Sequence, residues 1–271
     1  MTHKITVATL NLLNDMRRWE QRRQLIVDGF KKAQPDLIAL QEVVLPQNTA
    51  AWLAGELEGY SVHVTPKTGA LSALEGVAIL SRLPLQRVDW LDLGAQNRVA
   101  QMVVVDAPGA TMLFANVHLF WNPVDTGVRL KQVRLVQSWV RRWQRHHPRA
   151  GVVICGDFNA TPATRPIQHM YAEFKSAYVE AHGREPYWTC PTPLQFSTQP
   201  WRGTVMKLAG MATTRKNDHW RGTLDYIFVN DHVRVRTCHT AFTQHAEHDP
   251  TIFASDHLGL VADVVVDVTA D

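Results

Sequence analysis

Residues able to bind a cation or move a proton recur beside the apolar runs of this chain. Asn11 closes VATL, Glu42 follows LIALQ, His118 follows FANV, Asp157 and Asn159 follow VVICG, Asp225 opens DYIFV, and Asp256-His257 precedes LGLVADVVV. Taken singly, an Asp, Asn or Glu at a strand end is a turn or cap residue, because its short side chain bonds the local backbone. The set as a whole is different in kind. Carboxylates, amides and imidazoles, with no cysteine among them, stand at the ends of strands that can share one rim of a sandwich. Such donors suit a hard divalent cation, Mg²⁺ or Mn²⁺, better than a thiolate-bound zinc. The chemistry implied is metal-assisted phosphoryl transfer.

Those side chains have to be delivered by the elements around them. Short β-rich runs recur at Ile5–Leu10, Leu37–Gln41, Gly76–Leu80, Val99–Val105, Thr111–Val117, Gly151–Cys155, Leu224–Val229 and Leu258–Val266. Several, such as DLIAL, GVAILS and GVVIC, are continuously apolar rather than alternating, which predicts strands covered on both faces. Two helical patterns interleave with them. RWEQRRQLIVDGFKKA places Trp19, Leu25, Ile26 and Phe30 near one face and stops at Gln34-Pro35. VRLKQVRLVQSWVRRWQRHH does the same with Leu130, Val133, Val136, Trp139, Val140 and Trp143, and Pro148 ends it. The segment Tyr187–Asn217, rich in Pro, Thr and Gly, is expected as a long loop. With no internal repeat and no linker, the expectation is one domain over residues 1–271, built of mixed β-sheets flanked by helices.

Composition narrows the class without deciding the reaction. The chain has 271 residues, 45% hydrophobic and 20% charged, enough for a large core. A net charge of +3 permits a polyanionic substrate, but no Lys/Arg block resembles a nucleic-acid tail. The basic segment Arg141, Arg142, Arg145, His146, His147 and Arg149 reads as a solvated outer face, with tracking of a nucleic-acid backbone as the alternative. The 3 cysteines, Cys155, Cys190 and Cys238, are scattered, which argues against a disulfide framework and for a reducing compartment. No secretion signal and no membrane-length apolar run is visible, so a cytoplasmic location with no membrane and no obligate protein partner is expected.

The motifs TLNLLN, LQEV, EGVAILSR, NVHL, GDFNATP, LDYIFV and SDHLGLVADV occur in this order across essentially the whole chain. In that order they resemble the endonuclease/exonuclease/phosphatase superfamily, which includes deoxyribonuclease I, abasic-site endonucleases, sphingomyelinases, inositol polyphosphate phosphatases and poly(A) deadenylases. The resemblance implies a four-layer α/β/β/α sandwich. It makes Glu42 the principal Mg²⁺ (or Mn²⁺) ligand, with Asn11 and Asp256 as direct or water-mediated ligands. Asp157 would orient or deprotonate the attacking water, and Asn159 would help hold the phosphate and that water. His257 would contact the phosphate, with Asp225 on its other ring nitrogen, and His118 would be a second imidazole on the phosphate with Glu75 as its carboxylate partner. One departure is visible: Gly259 stands where many relatives carry Pro, which is expected to alter the start of the strand rather than the chemistry.

The loop HLFWNP, running to a Lys-x-x-Gln helix, is similar to that of the deadenylase, nocturnin and 2′-phosphodiesterase group. There a proline lies against one face of an adenine and an aromatic residue before the DYIF aspartate lies against the other; Pro123 and Trp220 fill those positions. A base between them would gain roughly 1–3 kcal/mol of stacking. The other reading makes Trp220 a packing residue and Pro123 a loop stiffener. Asn122 either contacts sugar or phosphate or caps the turn. The substrate expected is therefore nucleic acid or a nucleotide-containing phosphoester, with 3′-exoribonuclease action as the sharper form. The alternatives are a phosphatase, a lipid-headgroup phosphodiesterase and an abasic-site DNA endonuclease, the last disfavoured because such enzymes commonly present a Tyr at the His118 position. A binding module that has lost turnover would have shed a metal ligand or the GDFN acid, and neither is missing.

Overall fold

A computed structural model describes residues 4–107, 110–122, 125–198 and 220–266. The continuous apolar runs become strands with both faces covered. The chain begins β1 (Lys4–Asn11), α1 (Trp19–Ala33), β2 (Leu37–Val44), α2 (Thr49–Leu57), β3 (Ser61–Pro66) and β4 (Glu75–Ser81). It continues with β5 (Leu85–Asp92), β6 (Val99–Ala107), β7 (Ala110–His118), α3 (Thr126–His146) and β8 (Gly151–Asp157). The last third holds α4 (Arg165–Tyr171), β9 (Lys175–Ser176), α5 (Ala177–His182), α6 (Pro193–Thr198), β10 (Asp225–Val229) and β11 (Val233–Ala241), then β12 (His245–Ala246), β13 (Asp249–Phe253) and β14 (Gly259–Val266).

One six-stranded sheet has the order β11-β14-β1-β2-β4-β3 and the other β5-β6-β7-β8-β10-β9. Each is mixed. The parallel pairs are β1 with β2 and β7 with β8, and α1 and α3 make the return crossings that parallel neighbours require. Ile5, Val7, Ala39, Phe114, Val153 and Ile227 pack between the sheets. Ile26, Phe30 and Leu53 cover the outer face of the first sheet, and Val133, Val136 and Trp139 that of the second. The expected four-layer α/β/β/α sandwich is the fold observed. Among the described residues no helix is long and apolar enough to cross a membrane, and the three cysteines are buried and unpaired.

Polar contacts tie the two sheets: Gln101 Nε2 donates across to His63 O at 2.9 Å, and a buried network centres on Asn116. Between Leu40 and Val43, β2 carries one residue more than β4 opposite it, a β-bulge. Beside this bulge the Asn116 amide nitrogen, from β7 of the other sheet, donates to Leu40 O and Ala78 O at 2.9 Å each. Its oxygen accepts from Gln41 Nε2 at 2.7 Å, and Gln41 also donates to Thr9 Oγ1 at 3.1 Å. Both amide hydrogens and the oxygen are therefore used, as a buried amide requires. The bulge also places Glu42 at φ 55°, a left-handed backbone uncommon for a side chain of its size. Gln41 thus points into the sandwich while Glu42 turns to the rim.

Two glycines are dictated by close approach. A Cβ on Gly156 (φ +135°) would lie 2.0 Å from Val117 O, so the CGDFN strand can sit this near β7 only with glycine there. A Cβ on Gly259 would lie 2.7 Å from Thr9 O and 2.6 Å from the Phe242 ring, which itself stands edge-on to Phe30. The departure from proline at this position is thus accompanied by an aromatic ring filling the space.

Asn116→Leu keeps the volume but leaves Leu40 O and Ala78 O unpaired in the interior. Urea unfolding of this variant should show a loss of roughly 2–6 kcal/mol, since each buried unpaired carbonyl costs about 1–3 kcal/mol. A loss below about 1 kcal/mol would mean the amide does not hold the sheets together.

Candidate active site

The four strands of the two parallel pairs end on one rim. Asn11 ends β1 and Glu42 lies near the end of β2; His118 ends β7 and Asp157 ends β8, with His118 and Asp157 in register. Asp225, the first residue of β10, pairs across from Asp157. This is the place where ligands bind in open α/β sheets, outside the carboxyl ends of parallel strands. The turn before β14 adds Asp256 and His257. Arg22 of α1 holds the rim in place: buried, its guanidinium donates to Leu12 O (2.5 Å), Leu13 O (2.7 Å), Asp15 O (3.2 Å) and Ala254 O (2.9 Å). It thereby joins the loop after Asn11 to the turn that carries Asp256. Burial lowers this guanidinium to about 10, against the pull of Asp256, Asp15 and Glu42.

At the centre, Asp157 Oδ2 accepts from Asn11 Nδ2 at 3.1 Å and Oδ1 from the Asn159 backbone N–H at 2.8 Å. Asn11 Oδ1 accepts from Leu13 N at 2.9 Å, which fixes the amide. Asn159, at φ 49°, gives one amide hydrogen to Leu119 O at 3.1 Å, leaving its other hydrogen for a ligand. Burial, with the nearby charge of Asp225, raises Asp157 to about 7, although the His257 cation opposes this. His257 donates through Nδ1 to Asp225 Oδ2 at 2.8 Å and presents Nε2 to Asp157 Oδ2 at 3.9 Å. Burial alone would push the imidazole down, but Asp225 and Asp157 together hold it well above its ordinary value. The expected Asp225–His257 pair is present.

Thr189, which sequence reasoning left in a loop, pins that pair from both sides. Its hydroxyl donates to Asp225 Oδ2 (2.6 Å) and accepts from Leu224 N (2.9 Å), while its carbonyl accepts from Leu258 N (2.7 Å). Thr192 likewise donates through Oγ1 to Ser255 O (2.6 Å) and through N to Asp256 O (2.8 Å). The first part of the expected long loop is therefore a clamp on the turn that carries Asp256 and His257, followed by α6, and residues 199–219 lie outside the described residues.

Glu75 reaches the rim but has other partners than the one expected. Its Oε2 accepts from Asn14 Nδ2 at 2.7 Å, and its Oε1 pairs with Lys67 Nζ and lies 3.7 Å from Arg98 Nη1. Arg98 Nη1 stands 2.6 and 2.7 Å from the two ring nitrogens of His118, between that imidazole and Glu75. The carboxylates nearest His118 are Asp157 at 3.5 Å and Glu42 at 3.9 Å. The Glu75–His118 pairing is thus corrected: a guanidinium intervenes, because the buried cations Lys67 and Arg98 compete for Glu75. Burial, then Arg98, lowers Lys67, with Glu75 opposing. Nothing in PKTG or NRVA marked these cations for the site; only the folded chain buries them.

The donor set can be tested against a divalent cation. Asp157, Asp225 and His257 have ligand-type atoms within 4.8 Å of one another. Their geometry is that of a proton-holding triad, because His257 favours its charged form and a metal-bound imidazole nitrogen must be unprotonated. Glu42, Asn11 and Asp256 supply only oxygen donors. Glu42 accepts from Asn14 N through one oxygen, at 2.8 Å, and Arg22 spends its guanidinium on backbone carbonyls rather than on these carboxylates. These residues fit a hard divalent cation.

The substrate-binding candidates are only partly visible. Pro123 lies outside the described residues. Asn122 is half-buried, and its carbonyl, like that of Phe120, accepts from the buried Arg129, while Gln132 Oε1 accepts from Phe120 N at 2.8 Å. Trp220 is half-buried, and a Cβ on Gly222 would lie 2.6 Å from its ring, so glycine makes room for the indole. The β12–β13 hairpin follows, in which His245 Nδ1 donates to Ala246 O at 2.9 Å.

Removing the Asp225 charge tests the triad directly. In Asp225→Asn the His257 imidazole should titrate at lower pH than in the wild type, followed by its ring proton resonances in NMR. An unchanged titration would show that the 2.8 Å contact does not set its charge.

Comparison with known proteins agrees with this geometry. The profile of the Endonuclease/Exonuclease/phosphatase family matches residues 8–257. Carbon catabolite repressor protein 4 homolog 3 of Arabidopsis thaliana is 26% identical over 178 residues, 62% of this chain and 39% of that protein. The 2′,5′-phosphodiesterase 12 of Mus musculus is 29% identical over 286 residues, covering 90% of this chain and 46% of its own. The chain therefore spans less than half the length of these relatives. The human Nocturnin catalytic domain, solved with a bound sulfate anion, superposes with a TM-score of 0.72 at 24% identity, covering 97% of this chain and 95% of that one. Motif order, sandwich and rim thus agree: the chain belongs to the Endonuclease/Exonuclease/phosphatase family.

Proposed function

We propose that this chain is a divalent-metal-dependent phosphodiesterase that hydrolyses nucleic acid or a nucleotide-containing substrate by in-line attack of water. The observation that carries the reading is the convergence of Glu42, Asn11 and Asp256 with Asp157 and the Asp225–His257 pair on one buried rim. A cation held by Glu42, Asn11 and Asp256, Mg²⁺ or Mn²⁺, would offset the charge of the substrate phosphate. Asp157, raised to about 7, is matched to taking a proton from water near neutrality. Asn159 offers its remaining amide hydrogen to a phosphate oxygen. His257, held charged by Asp225, stabilises the oxygen that gains charge as the phosphorus is attacked. His118, with Arg98 against its ring, presents a second donor surface to the phosphate. The names of the curated relatives, one of them a 2′,5′-phosphodiesterase, support the phosphodiester as the bond cleaved. The half-buried Trp220 supports a base beside that bond, and 3′-exoribonuclease action is the sharper form of the proposal.

Purified protein with Mg²⁺ or Mn²⁺ should shorten oligoadenylate RNA from its 3′ end and stop on chelation. Asp157→Ala should lower kcat by about 10²–10⁴-fold. Trp220→Ala should raise KM for RNA by roughly 5–150-fold, the equivalent of a stacking contact of about 1–3 kcal/mol. Activity confined to a phosphomonoester, a lipid headgroup or abasic duplex DNA would reject the RNA reading and keep the metal-dependent phosphoesterase.

A further inference from the structure

On the outer side of the second sheet, the start of β5 and the C-terminal end of α3 enclose a cleft of about 580 Å³. Its walls include Arg87, Asp89, Arg142, Trp143, His146 and His147. The Arg87 guanidinium lies over the Trp143 ring, 5.1 Å from its centroid, and His147 lies nearly parallel to that ring, at 14°. Arg145 and Arg149 flank the cleft in sequence. Among the described residues, Arg141 of this segment pairs with Glu173, whereas Arg87, Arg142, Arg145 and Arg149 make no ion pair.

The cleft's carboxylate is directed inward. Asp89 Oδ2 accepts both the Trp139 indole N–H at 3.0 Å and the Trp143 indole N–H at 2.8 Å. That contact fixes the Trp143 ring and turns the one acidic group in the wall away from a ligand. The result is a Trp143 ring with the Arg87 guanidinium over it and the His147 ring nearly parallel to it, a set of planar groups edged by further cations. Cations for successive phosphates and an aromatic platform for a base are the two components of single-strand recognition.

We infer that this cleft is an exosite for single-stranded nucleic acid, gripping the part of the strand that lies away from the cleaved bond. Its catalytic consequence rests on the nuclease reading above; its binding does not. The 21 residues of α3 lead from the catalytic rim to the cleft, about 30 Å at 1.5 Å per residue. A strand stacked at the duplex spacing of about 3.4 Å per nucleotide would span this distance in roughly nine nucleotides, and a more extended single strand in fewer.

The test uses the full chain in EDTA with a fluorescein-labelled 20-nucleotide RNA, read by anisotropy. Arg87→Ala/Arg142→Ala should weaken binding by about tenfold or more and reduce the salt dependence by about two phosphate contacts. Lys31→Ala/Lys32→Ala on α1 should leave binding unchanged. In turnover, the arginine double variant should raise KM for the 20-nucleotide RNA while leaving hydrolysis of a four-nucleotide RNA unaltered. Arginine-dependent binding without any RNA hydrolysis by the wild type would sustain the exosite and sink the nuclease reading. Undiminished binding by the double variant would overturn the exosite whatever the activity. Inorganic polyphosphate competing as well per phosphate as the RNA would also overturn it, since the indole would then contribute nothing.

Discussion

The rim depends on how the two sheets are aligned, and Asn116 is the buried amide that fixes that alignment. The rim is assembled from both: Asn11, Glu42 and Glu75 come from one, and His118, Asp157 and Asp225 from the other. Apolar packing between sheets is strong but slides easily, because it has no direction. An amide that must meet Leu40 O, Ala78 O and Gln41 at once admits a single alignment. The β2 bulge beside it also turns Glu42 toward the rim. Alignment of the sheets and aim of the principal acidic group are thus one local event.

The second constraint is electrostatic. Burying carboxylates is tolerable only where cations or N–H donors meet them. At the site this is done unevenly. Glu75 is met by Lys67, Arg98 and Asn14 and serves as a counter-ion, whereas Asp157 receives N–H donors and a distant imidazole and is raised. The same carboxylate chemistry therefore yields a counter-ion in one place and a carboxyl raised to about 7, first by burial, in the other. Arg22 shows the complementary case, a buried cation satisfied by backbone carbonyls, whose work is to join two loops.

Positioning comes from segments that carry no catalytic group. Thr189 holds Asp225 and the residue after His257, and Thr192 holds Ser255 and Asp256. On the opposite side, Arg129 and Gln132 of α3 tie down the backbone of the Phe120–Asn122 loop, so a helix expected as a simple amphipathic cover is also a brace for the substrate side. Polar residues on the inner face of a helix depress its apolar periodicity, which is why that role could not be read from the pattern.

The strands legible in the sequence are the interior ones. The eight apolar runs became β1, β2, β4, β6, β7, β8, β10 and β14, while the four edges, β3, β5, β9 and β11, were not foreseen. An interior strand buried on both faces must be apolar throughout, whereas an edge such as VRVRTCHTA keeps arginines in water and looks like a loop. The short helices α2, α4, α5 and α6 were likewise unread, being too brief to establish a period. By itself the sequence determined buried strands flanked by helices, the order of its motifs and which residues stand at strand ends, since these follow from local burial and from residue chemistry, while the four-layer sandwich came through the family resemblance of those motifs. Only the tertiary structure decided that Arg98 rather than Glu75 meets His118, that Lys67 and Arg98 are buried at the site, and that Thr189 and Asn116 position it. Those partners are separated along the chain, and their pairing is settled by which charges and amides the packed sheets force together.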